Sequence, residues 1–148
     1  MQGRSLAIAT FAVTSVALVM VMLDNLVVST ALNVIRQELG ATIEQLEWTV
    51  NAYTLTFAVF LLTGAALGDR CGRRRMFIIG VAIFTAASAL AALSTSVEML
   101  LAGRMAQGVG AAIVTPLTLT LLSAAVPAER RGVALGAWGA VGGVAIAV

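Results

Sequence analysis

The chain has 148 residues, 60% of them hydrophobic and 11% charged, with a net charge of +2 and a mean hydropathy of +1.01. Ordinary soluble domains carry roughly 25% charged residues, so this composition excludes a soluble globular domain and describes an all-α integral membrane protein in contact with a lipid bilayer. A single cysteine, Cys71, and the absence of histidine exclude an internal disulfide, a zinc or other Cys/His metal centre and His-based catalysis.

A spanning helix needs about 20 mostly apolar residues at 1.5 Å rise each, and four such segments fit, with a fifth begun. The first covers about 6–28 and carries one charge, Asp24. Its apolar core is longer than the 7–15 residues of a secretory leader and no small-residue cleavage site precedes Asp24, so it reads as a spanning helix and not a signal peptide. The second covers about 48–68 and starts with the polar residues Asn51, Tyr53, Thr54 and Thr56. These are expected to be interhelical hydrogen-bond partners, worth about 0.6 kcal/mol each in a membrane. Trp48 and Tyr53 fit an aromatic belt at the interface, and Asn51 and Tyr53 are also candidates to face a substrate.

The third segment, about 76–95, holds no charge; the fourth, about 99–125, holds Arg104, Gln107 and Pro116, whose ring predicts a bend. After Pro127 and the pair Arg130 and Arg131, a fifth apolar run starts near Gly132 and continues to Val148. Gly132, Gly136, Gly139 and Gly143 give it small residues at four-residue spacing, and Gly108 and Gly110 enrich the fourth helix, patterns that permit close helix packing. Neither glycine-rich stretch ends in the Lys-Ser/Thr of a phosphate loop.

Arginine placement sets orientation, because short cytoplasmic loops collect positive charge. With the N-terminus inside, the inner segments hold Arg4, Arg70, Arg73, Arg74, Arg75, Arg130 and Arg131, whereas the outer loops hold only Arg36 beside Glu38, Glu44, Glu47 and Glu98. These arginines punctuate apolar runs and do not line a solvated face with stacking aromatics, so no nucleic-acid partner is expected. The same topology places Asp24, about one turn before the outer end of helix 1, level with Arg104, about one turn into helix 4. An intramembrane charge costs about 2.5–3.5 kcal/mol on insertion scales and generally faces a partner or a wet cavity. Asp24 and Arg104 are therefore the leading functional residues, with snorkelling to the outer headgroups or a static packing pair as the plain alternatives. A carboxylate that is ionised or protonated according to its distance from an arginine and its hydration can carry a proton. Asn25 and Gln107 stand beside them as hydrogen-bonding or cavity residues.

Taken together, these motifs resemble the major facilitator superfamily, and within it the fourteen-helix drug:proton antiporters. The stretch LGDRCGRRRMF is similar to the family's helix 2–3 loop motif, with Leu67, Asp69, Arg70, Gly72, Arg73 and Arg74 in place; Ala65 stands where the motif opens with glycine, and Gly64 lies one position early. LLAGRMAQGVGAA resembles the helix 4 motif through Arg104, Gln107, Gly108 and Gly110. LDNLVVSTALNVI resembles the helix 1 motif through Asp24, Ala31 and Leu32, with Asn33 in place of the usual proline.

The resemblance implies an N-terminal half-bundle of three-helix inverted repeats in which helices 1 and 4 line one cavity. It implies proton coupling at Asp24 and Arg104, and a conformational latch at Asp69, Arg70, Gly72, Arg73 and Arg74 that grips a helix end of the opposite half. It further implies no cofactor other than a proton gradient, a small-molecule substrate, a bacterial inner membrane and a C-terminal half as partner, so that residues 1–148 are expected to be a partial transmembrane domain inactive alone. The rival readings are a metabolite or sugar uptake carrier of the same family and a non-transporting membrane scaffold. An enzyme is not expected, because no Ser/His, paired-Asp or metal constellation is present.

Overall fold

The computed structural model describes residues 2–147, with side chains placed for residues 5–145; the Arg4 side chain lies outside that range. The described residues form five α-helices: α1 Gln2–Leu39, α2 Ile43–Cys71, α3 Arg73–Ala92, α4 Val97–Ala125 and α5 Arg131–Ala147, with a 3-10 turn at Ala128–Arg130 before α5. The first four are long and apolar enough to cross a membrane.

The largest departure from the hydropathy reading is α1, which runs on to Leu39 and not to about 28. Nothing between these points breaks a helix. Ser29 and Thr30 turn their hydroxyls back onto the carbonyls of Leu26 and Val27 at 2.8 and 2.9 Å, and Arg36 in the last turn faces the negative end of the helix dipole. The break comes at Gly40, whose φ of +63° is open to glycine. At 38 residues α1 is about 57 Å long, which places Asp24 about 22 Å from its C-terminal end and not one turn from it.

α2 starts five residues earlier than expected. Thr42 caps it, its hydroxyl accepting from the Gln45 amide at 3.2 Å while the Gln45 side chain accepts from the Thr42 amide at 3.0 Å, a reciprocal capping box. The loop expected between helices 2 and 3 shrinks to Gly72 alone, at φ +95°, because the flanking Asp and Arg residues continue their helices. α3 ends at Ala92, earlier than the expected 95, and Ser96 caps α4, accepting from the Met99 amide at 3.3 Å.

α4 is the central element. Half of its most apolar 18 residues are buried inside the protein, against 17–28% in α1 to α3, and it packs chiefly between α2 and α3, with α1 across it. The helix runs unbroken through Pro116. Proline has no N–H to give the carbonyl four residues back, here Ala112, and it is this carbonyl that meets α2: a Cβ at Gly64 would stand 2.5 Å from the Ala112 oxygen. The displaced Gly64, not position 65, thus permits the close approach of α2. Gly108 lies similarly against the Tyr53 carbonyl and Gly110 against the Phe84 backbone. Among the described residues Gly136, Gly139 and Gly143, expected to pack helices, meet no other helix: nothing outside their own helix backbone lies within 4 Å of a Cβ built at any of them, nor at Gly132, whereas Gly142 faces Leu18. α5 rests mainly on α1, and a four-residue spacing favours contact only on the face that happens to be turned inward.

Candidate functional site

Arg104 is 1% exposed and is the largest side chain fully enclosed by the described residues. Four of the five N–H groups of its guanidinium have acceptors. Nη1 donates to Asp24 Oδ2 at 2.6 Å and to Gln107 Oε1 at 3.0 Å, Nη2 to Asn25 Oδ1 at 3.2 Å, and Nε to the Thr49 carbonyl at 3.2 Å. The Tyr53 ring lies beneath, 4.4 Å from Cζ to its centroid, a cation–π contact of about 2 kcal/mol when desolvated. Snorkelling is thereby excluded for Arg104.

Gln107 orders the other side of Asp24. Its amide nitrogen donates to Asp24 Oδ1 at 2.5 Å and to Ser88 Oγ at 2.8 Å, while its oxygen accepts from Arg104. Each oxygen of the carboxylate therefore has its own donor, one charged and one neutral. Asn25 fixes its own orientation by donating to the Val21 carbonyl at 3.2 Å.

The helical repeat explains which residues meet. Arg104 and Gln107 are three apart on the buried face of α4, and Gln45, Thr49 and Tyr53 recur every four residues on one face of α2, with the Thr49 hydroxyl donating to the Gln45 carbonyl at 2.9 Å. Asn51 sits two residues from both Thr49 and Tyr53, on the opposite face, and is exposed; it is no part of this cluster. Tyr53, read as an interfacial belt residue, is buried under the guanidinium. The Thr54 and Thr56 hydroxyls, expected to bridge helices, donate to Val50 and Ala52 of their own helix.

Two members were missed from sequence. Thr49 contributes through its backbone carbonyl, which no side-chain pattern reveals, and Ser88 is a small hydroxyl in a helix without charges. The only sequence signal for either was polarity inside an apolar run. With them the cluster draws on α1 (Asp24, Asn25), α2 (Thr49, Tyr53), α3 (Ser88) and α4 (Arg104, Gln107).

Arg104 is sealed, but the Asp24 side chain is 15% exposed. It opens into a cavity of about 250 Å³ between α1 and the α3–α4 pair, lined also by Ser88 and Gln107. The arrangement is a carboxylate that reaches a wet-sized space on one side and is gripped by a buried cation on the other.

The loop motif lies at the far end of the bundle. Arg73 Nε and Nη2 donate to Asp69 Oδ1 at 3.0 and 2.8 Å, across the Gly72 break, with side chains 46% and 63% exposed. Arg70 and Arg74 are exposed beside them.

The family model described as Major Facilitator Superfamily matches residues 14–148. The chain is 45% identical to an uncharacterized MFS-type transporter of Mycobacterium tuberculosis over 85% of its own length and 22% of that protein. It is 40% identical to the methylenomycin A resistance protein of Bacillus subtilis over 93% of its own length and 30% of that protein. It is 38% identical to the tetracenomycin C resistance and export protein of Streptomyces glaucescens over 93% and 26%. The chain thus spans less than a third of the length of these relatives.

Proposed function

The chain belongs to the Major Facilitator Superfamily, and on that premise we propose that it forms the N-terminal part of a proton-coupled carrier exporting drugs or other small apolar or cationic compounds by alternating access. Resistance and export are what the names of its relatives state, which favours export over the uptake reading. The protein is a multi-pass membrane protein; in this proposal it sits in a bacterial inner membrane with its N-terminus cytoplasmic, a placement favoured by the exposed Arg70, Arg73, Arg74, Arg130 and Arg131 at one end of the bundle.

The observation that carries the proposal is the Asp24 carboxylate held between Arg104 and Gln107 while facing a cavity. Ionised, Asp24 ties α1 to α4 directly and to α3 through Gln107 and Ser88. A proton on it removes the charge that makes the Arg104 bond strong, and the ties between α1 and α3–α4 loosen together. Arg104 stays satisfied meanwhile by Thr49, Asn25, Gln107 and Tyr53. One proton thereby biases a rearrangement of packed helices, the requirement for driving a two-state carrier. At the cytoplasmic side, Asp69 and Arg73 form an exposed pair worth about 0–1 kcal/mol, weak enough to exchange partners with a helix end of a second half-bundle, and Arg70, Gly72 and Arg74 complete that latch.

The test is Asp24→Asn in the full-length carrier. The amide keeps an acceptor for Arg104 but takes up no proton, so proton-driven efflux is expected to fall at least tenfold while substrate exchange without a gradient persists. Unchanged proton-driven efflux would sink the proposal.

A further inference from the structure

The cavity at Asp24 is elongated. Its α1 wall consists of Asp24, Val27, Val28, Ala31, Ile35, Glu38 and Leu39, positions that return every three or four residues and so form one continuous stripe along the helix. Fourteen residues separate Asp24 from Glu38, about 21 Å of helix. Across from this stripe, Ser88 and Gln107 stand at the Asp24 end and Ser94 at the Glu38 end, with Ala91, Ala92 and Leu100 between. The lining is polar at both ends and apolar in the middle, where small alanines leave the space open.

From this geometry we infer that the cavity is the outer proton-access route of the carrier, with Glu38 as the group that collects protons at its mouth. The inference rests on the proposed role of Asp24 and on the cytoplasmic N-terminus. A volume of about 250 Å³ holds about eight waters at roughly 30 Å³ each, enough for a single file over 21 Å. Glu38 is exposed. It takes a proton from the outer solution, passes it to the first water of the file and is left ionised again; the last water releases a proton to an Asp24 oxygen. The net change is one proton moved from outside to Asp24. An apolar wall suits such a file, since it offers no side chain to hold the proton on the way. The charged groups on the elements packed around the mouth are Arg36 on α1, Glu44 and Glu47 on α2 and Glu98 on α4, with none on the adjoining end of α3; among the described residues none of them forms an ion pair with Glu38. At the far end Asp24 faces Arg104, which lies over the Tyr53 ring. The acidic surplus at the mouth raises the local proton concentration.

The experiment uses the full-length carrier in proteoliposomes with its outer face to the bath, and a pH-sensitive dye reports proton entry. Glu38→Gln is expected to slow entry fivefold or more at outer pH 8.5, where protons are scarce, and less than twofold at pH 6. Ala31→Phe, which plugs the middle of the file, is expected to slow it at both pH values, and substrate binding should be unchanged in both variants. Asp24→Asn is the reference. If it abolishes proton entry while Glu38→Gln leaves the rate at pH 8.5 unaltered, the access route is wrong; if Asp24→Asn itself has no effect, the reading of Asp24 fails. Glu38 being exposed, its variant decides the matter even if Ala31→Phe does not fold.

Discussion

Among the described residues two Asp–Arg ion pairs stand at nearly equal distance, 2.6 Å for Asp24–Arg104 and 2.8 Å for Asp69–Arg73, in opposite surroundings. The first joins residues 80 apart in sequence, is almost completely enclosed and shares its groups among four helices. The second joins residues four apart across one glycine and is bathed in solvent. The same two functional groups are therefore held under different energetic conditions. Burial makes the inner pair hard to break without a substitute for the lost charge, and in the proposed mechanism a proton, which neutralises the carboxylate where it stands, is that substitute. Exposure makes the outer pair cheap to break and screened by salt, as the proposed latch requires.

The sharpest way to break this comparison is Arg104→Ala. It strands the Asp24 carboxylate with Gln107 as its one remaining donor and is expected to cost about 3–5 kcal/mol, read as a loss of thermal stability in detergent. Arg104→Lys should recover only part, because an ammonium cannot reach the Thr49, Asn25, Gln107 and Asp24 acceptors in one plane. A loss near that of a surface substitution would mean that burial does not distinguish the pairs.

Next in size is Gly64→Val. Its side chain meets the Ala112 carbonyl, a backbone atom that α4 cannot move, and the expected cost is about 1–3 kcal/mol, whereas Gly136→Ala, with open space around it, should stay within about 0.5 kcal/mol. Equal effects at both glycines would remove α4 from its place as the fixed element on which the inner pair is built. The smallest effect belongs to Asp69→Asn, expected at no more than about 1 kcal/mol of stability and to shrink at high salt. On the proposed latch, Asp69→Asn is expected, in transport assays of the full-length carrier, to shift the balance between inward and outward states while leaving the protein intact.

Much of the fold was legible because a bilayer demands it. Runs of about 20 apolar residues have one solution in lipid, a helix, and hydropathy located four of them. The ends were harder. Residues 29–39 of α1 and 43–47 of α2 are helical but amphipathic, so a scale that measures greasiness stops before the backbone does, and the capping box at Thr42 and the break at Gly40 were the local signals for where the helices turn. Asp24 and Arg104 stood out because charges are rare in such segments. Asn51 and Tyr53 looked alike in sequence, and helical phase alone sent one outward and the other under the guanidinium.

By itself, then, the sequence determined the apolar spans and the two charges that had to meet, since each follows from the cost of polar groups in hydrocarbon. Only the tertiary structure decided that Arg104 is shared by acceptors from α1, α2 and α4, that Thr49 and Ser88 belong to the site, that Gly64 and not Gly136 marks a close approach, and that a cavity connects Asp24 with Glu38. These depend on the rotation and depth of one helix against another, which are fixed by packing over the whole interface and leave no mark in any single stretch of residues.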